Sequence, residues 1–164
     1  MKHSNAFRTT KQIINLKIKR FVDGDGIIVE DLIHKKEIEI RFLGIDAPEL
    51  KYCDKIKKDE KELHIPAAFL IKLGHLSLKY LKKQVKLGEL CTLLQEENNL
   101  IDKYGRYLGY LILSDGRILN EIMIKKGYAK PYNEVFCEKL PMYQEWNLKA
   151  KTRKKGLYAL INKF

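Results

Sequence analysis

From Gln12 the chain alternates apolar and polar residues, with Ile14, Leu16 and Ile18 and then Phe21 or Val22 on one side. This two-residue period predicts a half-buried strand. Asp23-Gly24-Asp25-Gly26 supplies the turn chemistry that ends it. A second strand is expected from Gly26 to Leu32, where Ile27, Ile28 and Val29 give β-branched bulk, and His34-Lys35-Lys36 suits a hairpin loop. A third follows from Glu37 to Leu43. It puts Ile38, Ile40 and Phe42 on one face and Glu37, Glu39 and Arg41 on the other, and Gly44 and Pro48 then break it.

The segment from Leu50 to Ile65 is dominated by charge without sustained periodicity, and predicts a long mobile surface loop. Pro66 suits a helix start. After it Phe69, Leu70, Leu73, Leu76, Leu78 and Leu81 recur at spacings near three and four, which predicts the longest helix, with lysines on its polar face. Gly74 inside it is a weakness of about 1 kcal/mol relative to Ala. The run ELCTLLQ after Gly88 and the run from Tyr107 to Leu113 predict strands four and five. Leu119 to Lys126 forms a short helix stopped by Gly127, and a last helix runs from about Pro141 to Lys155.

These elements give an α+β, mainly β fold class: a five-stranded OB-type β-barrel with three packing helices. One domain is expected over residues 1–164, with residues 1–11 flexible.

Composition narrows the partners. Lys and Arg number 32 against 21 acidic residues, a net charge of +11, which creates a field that attracts polyanions. Nucleic acid is the leading partner class and an anionic membrane surface the second. No stretch approaches the ~20 apolar residues of a membrane span, and the first twenty residues lack the apolar core of a signal peptide. Cys53, Cys91 and Cys137 lie far apart, with neither a CxxC pair nor a Cys/His cluster, so idle thiols are expected rather than a zinc site or a disulfide framework.

Candidate chemistry gathers at strand ends. Asp25 lies at the start of strand two, and Asp46 and Glu49 lie just after strand three. In an antiparallel meander these positions share a rim. Converging carboxylates repel one another unless neutralised, and a hard divalent cation such as calcium or magnesium does this with oxygen ligands. Asp23 would support it at one remove. Arg41 projects toward the same rim, and Arg106 in the DKYGR turn can bring a second guanidinium. Two forked donors facing a cation are the arrangement expected for a phosphate. Taken singly, each acid also fits an ordinary turn or strand exit, and each arginine an ordinary salt bridge.

The ordered segments VDGDG, IRFLGIDAPE, DKYGR and LNEIMIKKGYAK resemble the staphylococcal nuclease (thermonuclease) family over roughly residues 14–160. The resemblance implies a calcium-dependent endonuclease that hydrolyses DNA and RNA with little sequence specificity, leaves 3′-phosphates and acts as a monomer. It implies that Asp25, Asp46 and the backbone carbonyl of Ala47 bind Ca2+, that Glu49 activates water and that Arg41 and Arg106 bind phosphate. Lys103 and Tyr104 match positions near a terminal phosphate, and Tyr132 is a candidate for stacking on a base. Gly26 and Ala47 stand where relatives usually carry Thr, and a backbone ligand survives the second change. The resemblance also allows an extracytoplasmic location if a leader precedes this chain. The alternative is a noncatalytic OB-fold module that binds single-stranded nucleic acid.

Overall fold

The computed structural model describes residues 9–164, so the expectation for residues 1–8 lies outside it. In chain order the elements are Thr10–Asp23 (β1), Gly26–Asp31 (β2), Lys36–Phe42 (β3), Ile45–Asp46 (β4), Asp54–Leu63 (α1), Ala67–Gln84 (α2), Leu90–Glu96 (β5), Tyr107–Leu113 (β6), Leu119–Lys125 (α3), Lys130–Pro131 (β7) and Leu140–Thr152 (α4), followed by a 3-10 turn over Gly156–Ala159. Five strands close into a barrel in the order β1-β2-β3-β6-β5, with β1 also paired to β5. The β3–β6 pair is parallel and the other barrel pairs are antiparallel. The expected OB-type barrel, mainly β, is therefore present.

Barrel closure depends on β1, whose 14 residues pair with β2 along one part and β5 along another. A strand can turn between two partners only where its ladder is interrupted, and β1 has register shifts at Ile13/Leu16, Ile18/Arg20 and Phe21/Asp23. At the first of these Asn15 adopts φ 56°, a left-handed conformation that Asn tolerates better than most residues. The irregularity switches the side-chain parity. Leu16 and Ile18 point inward as expected, whereas Ile14 is 50% exposed and Ile13 packs on the core instead.

Two apolar clusters hold the fold. Leu16, Ile18, Ile27, Val29, Ile38, Ile40, Phe42, Leu93 and Leu111 fill the barrel. A second cluster joins Ile56 of α1, Leu70 and Leu73 of α2, Ala150 of α4 and the segment Leu157, Tyr158 and Phe164. That second cluster corrects the expected loop. Its middle is helix α1, and Ile56 and Leu63, seven residues apart, lie on the same side and join the second cluster. A helix with so few apolar residues is stabilised by docking rather than by its own pattern. The structure thus has four α-helices among the described residues where three were expected. Cys91 and Cys137 are buried free thiols and Cys53 is partly buried.

Asn120, at the start of α3 and fully buried, locks this helix to the parallel pair of strands. Its Nδ2 donates to the Leu43 and Gly109 carbonyls, each at 3.0 Å, and its Oδ1 accepts from the Leu111 amide at 3.0 Å. Removing it takes the partner from the buried Leu111 amide and Leu43 carbonyl, while the Gly109 carbonyl keeps the Leu43 amide at 2.9 Å. Asn120→Ala is expected to cost about 2–4 kcal/mol, measured by equilibrium urea unfolding.

Candidate active site

Strand pairing puts the first acid beside the first arginine. Gly26 faces Arg41 in the β2–β3 ladder, and the Phe42 amide donates to the Asp25 carbonyl at 2.8 Å. Asp25 is thereby fixed next to the end of β3. Gly44, at φ 79°, then reverses the chain into β4, which pairs with β7 so that Ile45 faces Pro131 and Asp46 faces Lys130. The Tyr132 amide adds a bond to the Gly44 carbonyl at 2.9 Å. This two-residue ribbon anchors the Asp46 backbone against β7, and pieces so short leave no periodicity to read.

Arg41 is the hub. Its Nη1 lies 2.9 Å from Asp25 Oδ2 and donates to the Ile45 carbonyl at 2.8 Å, while Nη2 reaches Asp46 Oδ1 at 3.1 Å. The Ala47 amide donates to Asp25 Oδ2 at 2.5 Å, so Ala47 adjoins the cluster through its backbone. Asp25 and Asp46 are only 4% and 7% exposed, which makes their neutralisation obligatory. Gly24 permits the close packing here, since a Cβ on it would stand 2.8 Å from the Ala47 Cβ. Asp23 Oδ1 accepts from the Asp25 amide at 3.1 Å and caps the turn. A Cβ at Gly26 would approach Asp23 Oδ1 to 3.1 Å, so a threonine there would require that carboxylate to shift slightly.

Glu49 joins the cluster through a residue the sequence did not single out. Lys55, the second residue of α1, lies 2.7 Å from Asp46 Oδ1 and 3.1 Å from Glu49 Oε1. Burial works to lower its pKa and is outweighed by Asp46, then Glu49 and Asp25, so the net shift is upward. A second missed residue is Gly74 of α2. A Cβ there would stand 2.2 Å from the Glu49 carbonyl oxygen, so the absence of a side chain lets the Pro48–Glu49 backbone lie against the helix. The Ile56–Leu63 spacing was the signal that would have placed Lys55 at a helix start; for Gly74 the only signal was a glycine inside a strong helix. Among the described residues no three Asp, Glu, His or Cys side chains form a ready-made metal cage. The acids are held in pairs by Arg41 and Lys55.

Arg106 lies just before β6, in which Leu108, two residues further on, is in register with Arg41 of β3. The Arg106 Nε is bound at 2.8 Å by Asp102 Oδ2, whose Oδ1 also accepts the Tyr104 and Arg106 amides, and no bond among the described residues joins it to the acids. Lys103 and Arg106 both lie over the Tyr104 ring, at 5.0 and 5.5 Å from its centre, and Tyr104 is 72% exposed. The Tyr132 ring centre lies 5.9 Å from the Arg41 guanidinium carbon, and its hydroxyl donates to Glu134 at 2.9 Å. Tyr132 thus borders the cluster, and the Lys103–Tyr104–Arg106 group forms a separate flank.

Burial raises the Asp25 pKa well above the ordinary 3.8; Arg41 opposes this, while Asp23 and Asp46 add to it. Arg41 is itself shifted upward, because burial is outweighed by Asp25 and Asp46. The native protein therefore holds a proton on Asp25 at pH values where the unfolded chain has released it. In metal-free protein, stability from this residue falls as pH rises from about 3.8 through the raised folded value. Thermal melts in chelator across pH should show Asp25→Asn melting above the unsubstituted protein near neutrality, with the gap closing toward acid.

The chain matches the family model described as staphylococcal nuclease homologue over residues 39–159. It is 28% identical over 156 residues to an uncharacterized protein of Methanocaldococcus jannaschii, covering 89% of this chain and 72% of that one. Endonuclease YhcR of Bacillus subtilis is 31% identical over 145 residues, which cover 88% of this chain and 11% of that protein. An uncharacterized endonuclease of Escherichia coli is 30% identical over 147 residues, covering 89% of this chain and 78% of its own.

Proposed function

The chain belongs to the staphylococcal nuclease homologue family, and from that premise we propose that it is a calcium-dependent endonuclease acting on DNA and RNA with little sequence specificity. The observation that carries the reading is the Arg41 guanidinium held between two nearly buried aspartates, with Glu49 beside them. Such a cluster is costly to bury and contributes little to stability for its cost. It suits a task at a phosphate.

The donor set fits a hard divalent cation. Asp25 and Asp46 offer carboxylate oxygens drawn toward one positive centre, Arg41. Asp25, Asp46 and the Ala47 carbonyl would hold calcium, with Asp23 supporting the turn. Bound there, calcium supplies Lewis-acid polarisation of a nonbridging phosphate oxygen.

The remaining steps belong to the chain's own side chains. Arg41 and Arg106 grip the phosphate oxygens and stabilise the charge that builds on pentacoordinate phosphorus. Glu49 takes a proton from a water in line with the 5′-oxygen, that water's oxygen bonds to phosphorus as the bond to the 5′-oxygen breaks, the departing oxygen takes a proton from solvent, and a 3′-phosphate remains. Lys103 and Tyr104 hold a neighbouring phosphate, and Tyr132 offers a face on which a base stacks. The excess of Lys and Arg attracts the backbone without reading sequence, and affinity falls steeply with salt.

Glu49→Gln is expected to reduce turnover on plasmid and single-stranded DNA by about 10²–10⁴ in calcium, and Arg41→Ala by about 10³–10⁵. Circular dichroism should show an intact barrel for Glu49→Gln. A Glu49→Gln protein with undiminished turnover would remove the general-base role. Binding of DNA without cleavage in calcium or magnesium would identify a noncatalytic binding module instead. Gly74→Ala should lower turnover while DNA affinity is retained, because the new methyl group displaces Glu49 and leaves the basic surface in place.

A further inference from the structure

Lys55 occupies ground that a bound cation would need. Its ammonium bridges Asp46 and Glu49 at 2.7 and 3.1 Å, and the Asp46 oxygen it holds also accepts from Arg41 at 3.1 Å. Asp46 Oδ1 is thus already shared by two positive groups. The backbone that carries Lys55 is fixed, because the next residue, Ile56, is 1% exposed in the second apolar cluster. The side chain is a flexible four-carbon tether and is 36% exposed, so it has a path outward. Asp59, four residues along α1, lines the same small cleft as Lys55 and Asp46 and offers the ammonium another partner.

A divalent cation on Asp46 would face the Lys55 ammonium across one carboxylate, and two like charges at such range repel strongly in a partly buried site. We propose that Lys55 is a tethered counter-ion of the metal-free protein, expelled from Asp46 and Glu49 when a divalent cation binds. The inference rests on the reading of Asp25 and Asp46 as metal ligands. Its consequence is a coupling of two events. While Lys55 holds Glu49, that carboxylate has Oε1 occupied, and the arrival of the metal frees it. Lys55 is then a residue that sets metal affinity and keeps the site inactive until the metal arrives.

Calcium affinity, measured by titration calorimetry on the whole chain, tests this without recourse to activity. Lys55→Met should bind calcium more tightly, by on the order of 5–150-fold, the range typical of coupled sites, while Lys55→Arg should stay near the unsubstituted protein. In the unsubstituted protein, the Lys55 side-chain NMR signals should shift on calcium addition toward those of a solvent-exposed lysine. Equal or weaker calcium binding by a folded Lys55→Met overturns the inference and leaves the metal reading intact. Should Lys55→Met fail to fold, Lys55 signals unmoved at saturating calcium overturn it alone. If neither protein binds a divalent cation, the metal reading falls and the displacement falls with it.

Discussion

Two nearly buried aspartates sharing one guanidinium form the constraint around which this end of the barrel is arranged. An ionised carboxylate taken out of water costs several kcal/mol unless geometry and hydrogen bonds return it. Arg41 answers Asp25 and Asp46 together, while the Ala47 amide and the Ile45 carbonyl satisfy the remaining directions. Even so, Asp25 stays shifted toward its neutral form. Such strain persists only where the surrounding backbone leaves no alternative.

The backbone supplies that lack of alternative at four points. The β2–β3 register places Asp25 against Arg41, and the β4–β7 ribbon holds Asp46. Gly24 and Gly74 each remove a side chain where two segments must touch, the first under Ala47 and the second under Glu49. Behind them, Asn120 ties the Leu43 carbonyl to β6. These contacts join strand, ribbon and helix backbone, so the cluster is held by packing rather than by mutual attraction alone. The roughly 1 kcal/mol that a helix loses to a glycine is the cost at which Glu49 reaches its place.

The barrel was legible because its strands alternate and its turns carry Gly and Asp. Asp25, Arg41, Asp46 and Glu49 were legible as neighbours because they flank two strands joined by a hairpin. Other features were not, for definite reasons. Asn15 switches side-chain parity inside a strand, so simple alternation put Ile14 on the wrong side. Helix α1 carries only Ile56 and Leu63 as a hydrophobic stripe and forms against α2 and the segment around Phe164, a tertiary dependence that so sparse a local pattern records faintly. The β4–β7 ribbon pairs Ile45 with Pro131 and Asp46 with Lys130, far apart in the chain, through two residues on each side. Lys55 was hidden with α1. Among many lysines on a strongly basic chain, only its helix position distinguishes it.

The charge pattern explains why such a cluster needs a basic surround. A polyanion is drawn by the long-range field of the excess lysines, but on arrival meets Asp25, Asp46 and Glu49, which repel it. Within the cluster the positive groups are occupied: Arg41 spends donors on Asp25, Asp46 and Ile45, and Lys55 on Asp46 and Glu49, while on the separate flank Arg106 holds Asp102 through its Nε. In the proposed function, Arg41 can therefore grip a phosphate only as carboxylates give up some of these bonds. They can do so without an uncompensated charge only if another cation takes them over. Attraction at long range and exchange at short range are thus separate requirements, met by different residues: the dispersed lysines for the first, and the acid–base pairs of one rim for the second.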